Sequence, residues 1–238
     1  MRARDLVPVA LLLPLVGFVV AMVRTTPART PSADPAASSD APLTAAEIER
    51  RRETVRTLVA AEGAGTYAAA MIATEGRVDR WPDDTDTLRV YIEPAAHLEG
   101  WRQRRLADAQ LAFRGWEPLL PFSITFVGSA GEADVTVAWN ERFARGGQVG
   151  NTHSTSDDRG RLRRAVVTLA VRDNDGEVIP DELAAVTALH EAGHALGLTH
   201  SPNASDLMAA RYTGTVRGLT RADTATMSLW YRLPAGEM

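Results

Sequence analysis

The chain has 238 residues, of which 45 % are hydrophobic, which suits one well-packed domain with extensions rather than two full domains. Its formal net charge is −4 and acidic and basic residues are mixed along the sequence, which argues against a nucleic-acid-binding protein. There is no cysteine, so disulfides and thiolate metal ligands are excluded, and the fold must depend on packing and on any bound metal ions.

The chain opens with a targeting segment. Two arginines precede residues 6–23, which carry no charge, and this pattern is typical of a short transmembrane anchor or of a signal peptide. The length favours an anchor and the preceding arginines favour a cytoplasmic N-terminus, whereas Val19 and Ala21 have the spacing of a small-residue cleavage site. Residues 1–24 are therefore predicted to be one or the other. Both alternatives place the remainder outside the cytoplasm, either secreted or held at the membrane.

A linker and a helical segment are predicted next. Residues 25–42 are rich in Pro, Ala, Ser and Thr, so we expect a flexible tether. Thr44 and Glu47 have the spacing of a capping box, and apolar residues recur at helical intervals to about Gly63. Residues 43–79 are interpreted either as a helical lead-in to the domain or as a pro-segment that lies across the active site.

Residues 80–238 are predicted to form the folded domain, with strands and helices alternating along it. Strands are predicted at residues 88–92, 122–127, 133–139 and 164–171, a short extended piece at 148–151, and helices at 97–114, from 181 to the break at 197, and at 220–233. Asp181 is expected to be the N-cap of the second of these helices. Strands separated by a helical crossover, with three helices, indicate a layered α/β sheet.

Residues 190–200, HEAGHALGLTH, suggest a metal site. His190 and His194 lie one turn apart on a helix, and a break at Gly197, expected at positive φ, brings His200 to the same point. Three imidazoles can hold one zinc ion and leave its fourth position open for water, which is the arrangement of a catalytic site.

Glu191 follows the first histidine directly and is predicted to be the general base that accepts a proton from this water, as peptide-bond hydrolysis requires. A polypeptide substrate is expected to add to the sheet edge at Gly147, Gln148, Val149 and Gly150. The alternative is a surface-tethered binding module with a structural zinc and no catalysis. An intact Glu191 and three rather than four protein ligands favour the enzyme. We expect a monomer that contacts the membrane only through its N-terminal segment.

The motif, with Ser201 and Met208 after it, resembles that of the metzincin zinc peptidases and, among them, the matrixins, the matrix metalloproteinase family. Residues 80–94 (RWPDDTDTLRVYIEP) resemble the opening of a matrixin catalytic domain, residues 133–139 (ADVTVAW) its third strand and residues 218–231 its C-terminal helix. The resemblance implies an α/β fold of the α+β metzincin type. In this fold a twisted, mostly parallel sheet of five strands is accompanied by three helices, and a zinc cleft crosses the front.

The resemblance also implies roles for two residues after the zinc motif. Met208 aligns with the methionine of the Met-turn, which forms an apolar floor beneath the metal, and Tyr212 aligns with the wall of the specificity pocket. Matrixins usually have a proline two residues after that methionine, whereas this chain has Ala210. We therefore expect the pocket wall to follow a different path.

Further metal sites of the matrixins are only partly represented. Their second, structural zinc uses several histidines and an aspartate, and this chain offers only His153 with Asp157 and Asp158, so one zinc is predicted and His153 is expected to be a surface or substrate-contacting residue. Calcium is common in the family. Oxygen ligands for it occur in one short loop, at Asp173, Asn174, Asp175 and Glu177, although an Asx-rich turn explains that loop equally well.

Overall fold

The structure is a computed structural model that describes residues 43–144 and 147–238. The predicted targeting segment and linker, residues 1–42, lie outside the described residues. Within the described ranges no helix combines the length and the hydropathy that a membrane crossing needs.

Helices and strands alternate over the described residues, which contain five α-helices, seven strands and two short 3-10 helices. In chain order the helices and strands are α1 (Ala45–Glu62), α2 (Ala68–Glu75), β1 (Arg77–Val78), β2 (Thr87–Ile92), α3 (Arg104–Trp116), β3 (Ser123–Phe126), β4 (Val135–Asn140), β5 (Gly150–Ser156), β6 (Leu162–Ala170), α4 (Asp181–Ala195), α5 (Arg221–Trp230) and β7 (Gly236–Glu237).

A five-stranded sheet forms the centre of the domain, in the spatial order β3-β2-β4-β6-β5. The first four strands of that order run parallel, and β5 pairs antiparallel with β6 at the edge. Val135 and Val137 of the middle strand β4 are fully buried, as expected for a strand covered on both faces. The prediction of a mostly parallel, five-stranded α/β sheet is confirmed. The three predicted helices of residues 80–238 are present, and two more precede them.

The edge strand β5 is longer than the sequence predicted. A short extended piece was expected at residues 148–151, but the strand runs over Gly150–Ser156 with alternate residues exposed. Its sequence, GNTHSTS, contains no large apolar residue. An edge strand that shows one face to solvent does not need an apolar run, so hydrophobic patterning fails to reveal it.

Helix α3 begins later than predicted. The expected start was residue 97, whereas the helix spans Arg104–Trp116 and residues before it form turns. Gly100 adopts a φ of +83°, which is incompatible with a right-handed helix, and its position therefore separates the turns from the helix.

Two side chains of α3 fix the position of helix α4. Trp116 donates from Nε1 to the carbonyl of Leu189 over 2.9 Å, one residue before the zinc motif. Arg105, fully buried, donates from Nη2 to the carbonyl of Ile179 over 2.8 Å, just before the helix starts.

The prediction of Asp181 as N-cap is wrong, because this residue is already helical and makes no capping bond. Its carboxylate instead accepts from Arg102 at 2.9 Å.

The lead-in packs into the same core as the domain. The predicted capping box of Thr44 and Glu47 starts α1, and Val55 of this helix is buried. Helix α2, which was not predicted, contributes the fully buried Met71. The short strands β1 and β7 then pair the end of the lead-in with the C-terminus. Residues 43–79 therefore share the hydrophobic core of the fold.

Candidate metal centre and active-site cleft

Three histidine side chains converge at the end of helix α4. The Nε2 atom of His194 lies 3.0 Å from Nε2 of His190 and 3.2 Å from Nε2 of His200. Three nitrogens bound to one tetrahedral zinc at their usual distance lie about 3.3 Å apart. Over the described ranges, this is the one group of three or more His, Cys, Asp or Glu residues arranged to hold a metal ion.

Backbone carbonyls determine which ring nitrogen carries the proton. Nδ1 of His190 lies 2.8 Å from the carbonyl oxygen of Leu207, and Nδ1 of His194 lies 2.7 Å from that of Leu198. A carbonyl only accepts, so each Nδ1 donates and each Nε2 presents a lone pair. Two lone pairs 3.0 Å apart repel each other unless a cation lies between them. The donor set therefore fits a metal ion held by the three Nε2 atoms.

Burial keeps these imidazoles neutral, as metal ligation requires. It lowers the pKa of His194 to about 3, helped by the nearby ring of His190. The pKa of His190 is also lowered, chiefly by burial. Burial lowers the pKa of His200 as well, although the charge of Glu75 acts to raise it. At neutral pH all three side chains are consequently unprotonated at Nε2 and ready to bind a cation.

The turn after α4 is held from several sides. Gly197 has the predicted positive φ, +102°, and a Cβ there would lie 2.5 Å from the carbonyl oxygen of Asp79. The last helical carbonyls are satisfied by side chains: Trp81 donates from Nε1 to Ala195 over 3.0 Å, and the hydroxyl of Tyr231 donates to Leu196 over 2.9 Å. The path that brings His200 back to the other two histidines is thereby fixed.

Glu191 lies buried beside this centre. Only 5 % of it is exposed, and its Oε2 accepts a hydrogen bond from the hydroxyl of Thr152 over 2.7 Å. Burial raises the pKa of Glu191 to about 7, although the Thr152 hydrogen bond opposes the rise. A carboxyl group with such a pKa can both accept and release a proton near neutral pH, whereas a bound cation nearby would favour its charged form.

Met208 and the residue before it are anchored to helix α5. Met208 is fully buried, and a Cβ on Gly193, between the two helical histidines, would lie 2.6 Å from its Sδ. The backbone amides of Leu207 and Met208 donate to the buried carboxylate of Asp223, over 2.9 and 3.3 Å. Asp223 also forms a capping box with Thr220 at the start of α5. One carboxylate thus caps α5 and holds the backbone of the methionine segment.

The residues predicted to contact substrate line one cleft together with the histidines and Glu191. They are Gly147, Gln148, Val149, Gly150 and Tyr212. Tyr212 is 41 % exposed and accepts a hydrogen bond from Arg217 over 2.9 Å. Gly150 lies against Glu191, because a Cβ on it would be 2.5 Å from Oε1. Thr152 lines the same cleft but was not among the predicted site residues, because a polar residue alternating along an edge strand gives no distinctive sequence signal.

The residues considered for further metals are either exposed or bonded within the chain. His153 is exposed on β5, and Asp157 accepts from Nε of Arg161 and Nη2 of Arg163, each over 2.7 Å. In the acidic loop, Oδ1 of Asp173 accepts the backbone amides of Asp175 and Glu177, over 3.0 and 2.9 Å, as in an Asx turn. One zinc and a calcium-binding loop both stay predictions.

Fold and site together have the features of a metallopeptidase, and comparison with known families agrees. Residues 80–232 match the family model Matrixin. Because the match covers more than half of the chain, the protein belongs to the matrixins. Membership implies a zinc metallopeptidase that acts on polypeptides, and the three converging histidines supply a place for the metal. No curated protein matches the chain at a significant level.

Proposed function

We propose that the protein is a zinc-dependent endopeptidase in which His190, His194 and His200 bind the metal and Glu191 is the general base. One observation carries the proposal: Nε2 of His194 lies 3.0 and 3.2 Å from those of His190 and His200, and Glu191, which is 5 % exposed, lines the same cleft. Zinc bound there supplies a Lewis acid that polarises the scissile carbonyl and lowers the pKa of water.

The chain's own residues then move the proton. Oε2 of Glu191 is occupied by the Thr152 hydroxyl, and within the described part of the chain Oε1 has no hydrogen-bond partner. We assign Oε1 as the atom that accepts the proton of the attacking water and later delivers it to the leaving amine. Because Glu191 is 5 % exposed, access of bulk water to its carboxylate is restricted.

Strand β5 supplies the surface for an extended substrate. It is the edge of the sheet, bonded to β6 on one side only, and its first residues line the cleft. A polypeptide lying along Gly147 to Gly150 would extend the sheet through main-chain hydrogen bonds, with its side chains contacting the cleft at Tyr212. Met208 would support the metal ligands from below through its contact with Gly193.

The lead-in, residues 43–79, is proposed to remain part of the active protein rather than to be removed as a pro-segment. Its contribution to the core supports this, and so does the contact of Tyr67 with the carboxylate of Asp223, 3.1 Å away. We also propose that residues 1–24 direct the domain out of the cytoplasm, on the basis of the uncharged stretch at 6–23. Protease accessibility of the domain in intact cells tests that location.

Cleavage of denatured casein by the purified, zinc-loaded protein tests the function. We expect peptide products that disappear when a chelator removes the metal and return when zinc is restored. Binding of casein without any cleavage, under conditions in which zinc is bound, would instead favour the alternative of a binding module with a structural metal.

A further inference from the structure

We propose that the edge strand β5 positions the carboxylate of Glu191 through two of its residues, the hydroxyl of Thr152 and the missing side chain of Gly150. The inference rests on the proposed function, because it assigns these residues a part in holding the general base. Both are positioning residues, since each acts through Glu191.

Among the described residues, both hydrogen-bond contacts of the Thr152 hydroxyl are to Glu191. Its Oγ1 lies 2.7 Å from Oε2 and 3.1 Å from the backbone carbonyl oxygen of the same residue. An ionised carboxylate and a carbonyl both only accept, so the hydroxyl is the donor, and the shorter contact is the one to the charged group. The bond therefore links a side chain of the sheet edge to the side chain on helix α4 that is proposed to move protons.

Gly150 lies two residues earlier, on the same face of the strand. A Cβ on Gly150 would come within 2.5 Å of Oε1 and 2.8 Å of Cγ of Glu191, and within 2.7 Å of a methyl group of Thr187. No side chain fits into this space without displacing the carboxylate. Thr152 of β5 thus holds Oε2 of Glu191, and the absence of a side chain at Gly150 leaves space for Oε1.

This arrangement connects the base to the surface proposed for substrate binding. Thr152 pairs with the buried Val167 of β6, so the strand is anchored on its inner side. In the described part of the chain no strand pairs with its outer side, and a polypeptide bound along Gly147 to Gly150 would immobilise Gly150, one of the two residues that position Glu191. A glutamate side chain has several rotatable bonds, and a fixed donor removes most of this freedom before the reaction starts.

Kinetics of three variants of the full, zinc-loaded chain test the proposal. Thr152→Val keeps the shape and removes the hydroxyl, Thr152→Ser keeps the hydroxyl, and Thr155→Val is a control at an exposed position of the same strand. We expect Thr152→Val to lower kcat about 10- to 100-fold with KM and zinc content nearly unchanged. Thr152→Ser should stay close to wild type, as should Thr155→Val. Wild-type kcat in Thr152→Val, or loss of zinc from it, would overturn the proposal.

A fourth variant tests the role of Gly150. Gly150→Ala should lower kcat at unchanged zinc content, because the added methyl group displaces Oε1. A fully active Gly150→Ala protein would overturn this half of the inference.

A double-mutant cycle of thermal stability tests the contact between Thr152 and Glu191 without an activity measurement. The effect of Thr152→Val on the melting temperature is measured in the wild type and in Glu191→Ala, and we expect a decrease in the first background that largely disappears in the second. Equal effects in both backgrounds would overturn the contact. This result separates failure of the inference from failure of the proposed function, which would show as an inactive wild type.

Discussion

The phenol of Tyr67, in the lead-in, donates a hydrogen bond to Oδ1 of Asp223 over 3.1 Å. The same carboxylate accepts the backbone amides of Leu207 and Met208, and the carbonyl of Leu207 holds the ring of His190. Burial, with a further contribution from Asp223, raises the pKa of Tyr67, so its hydroxyl stays protonated as the donor. Tyr67 of the lead-in is thus connected to His190, a proposed zinc ligand, through two intermediate residues, Asp223 and Leu207.

Tyr67→Phe should weaken both the fold and the metal site. Removing one donor from a buried carboxylate costs about 1–3 kcal/mol of unfolding free energy, and the Leu207 carbonyl loses part of its support. Denaturant unfolding and zinc titration measure the two effects. Tyr91→Phe, at a half-buried position of strand β2, is the matched control and should change neither.

Truncation extends the same prediction to the whole lead-in. A protein that begins at residue 80 loses the buried side chains of Val55, Tyr67 and Met71 from the core. We expect it to be unstable and inactive at temperatures at which residues 43–238 are folded. Equal stability and peptidase activity of the two proteins would show that the lead-in is dispensable, as a removable pro-segment would be.

Replacing Gly197 by alanine should damage the turn that delivers His200. Its φ of +102° disfavours any side chain, and the new Cβ would lie 2.5 Å from the carbonyl oxygen of Asp79. We expect a loss of about 2–4 kcal/mol in unfolding free energy together with weaker zinc binding. Gly65→Ala, at a φ of +77° with open space around it, measures the cost of the backbone conformation alone. Similar losses in the two variants would contradict the role assigned to the close contact.

The sequence predicted the convergence of the three histidines because its geometry is local. The spacing of His190 and His194 follows from the helical repeat, and the turn at Gly197 brings in the third histidine only a few residues later. The parallel strands were predicted because they are buried and apolar. The start of α3 was predicted wrongly, although Gly100 was a usable signal for a break.

The sequence did not predict the contacts that surround this centre, because they join distant parts of the chain. Thr152 and Glu191 are separated by 39 positions, and Tyr67 and Asp223 by 156. Neither pair has a recognisable spacing. Strand β5 is polar along its whole length, so its pairing with β6 depends on the neighbour rather than on its own composition.

Asp157 should make stability depend on pH in the acidic range. Partial burial raises its pKa, but hydrogen bonds from the backbone and side chain of Arg161, together with those of Arg159 and Arg163, lower it to about 2. The ionised form therefore stabilises the fold above the ordinary pKa of about 4, and this contribution is lost as the pH falls towards 2.

Unfolding of Asp157→Asn at several pH values measures that contribution. We expect the variant to be about 1–2 kcal/mol less stable than wild type near neutral pH, since the side chain is partly screened by solvent, and the difference to vanish near pH 2. Asp158→Asn, at the exposed neighbouring position, serves as control. A difference that stays constant down to pH 2 would contradict the assigned ion pairs.

The central claim is tested most directly by zinc content and casein cleavage of Glu191→Gln measured beside the wild type. Because the proposed mechanism assigns proton transfer to Glu191 and metal binding to the histidines, we expect about one zinc per chain in both proteins and cleavage by the wild type alone. Cleavage by Glu191→Gln at the wild-type rate, or a wild type that binds no zinc, would contradict the account.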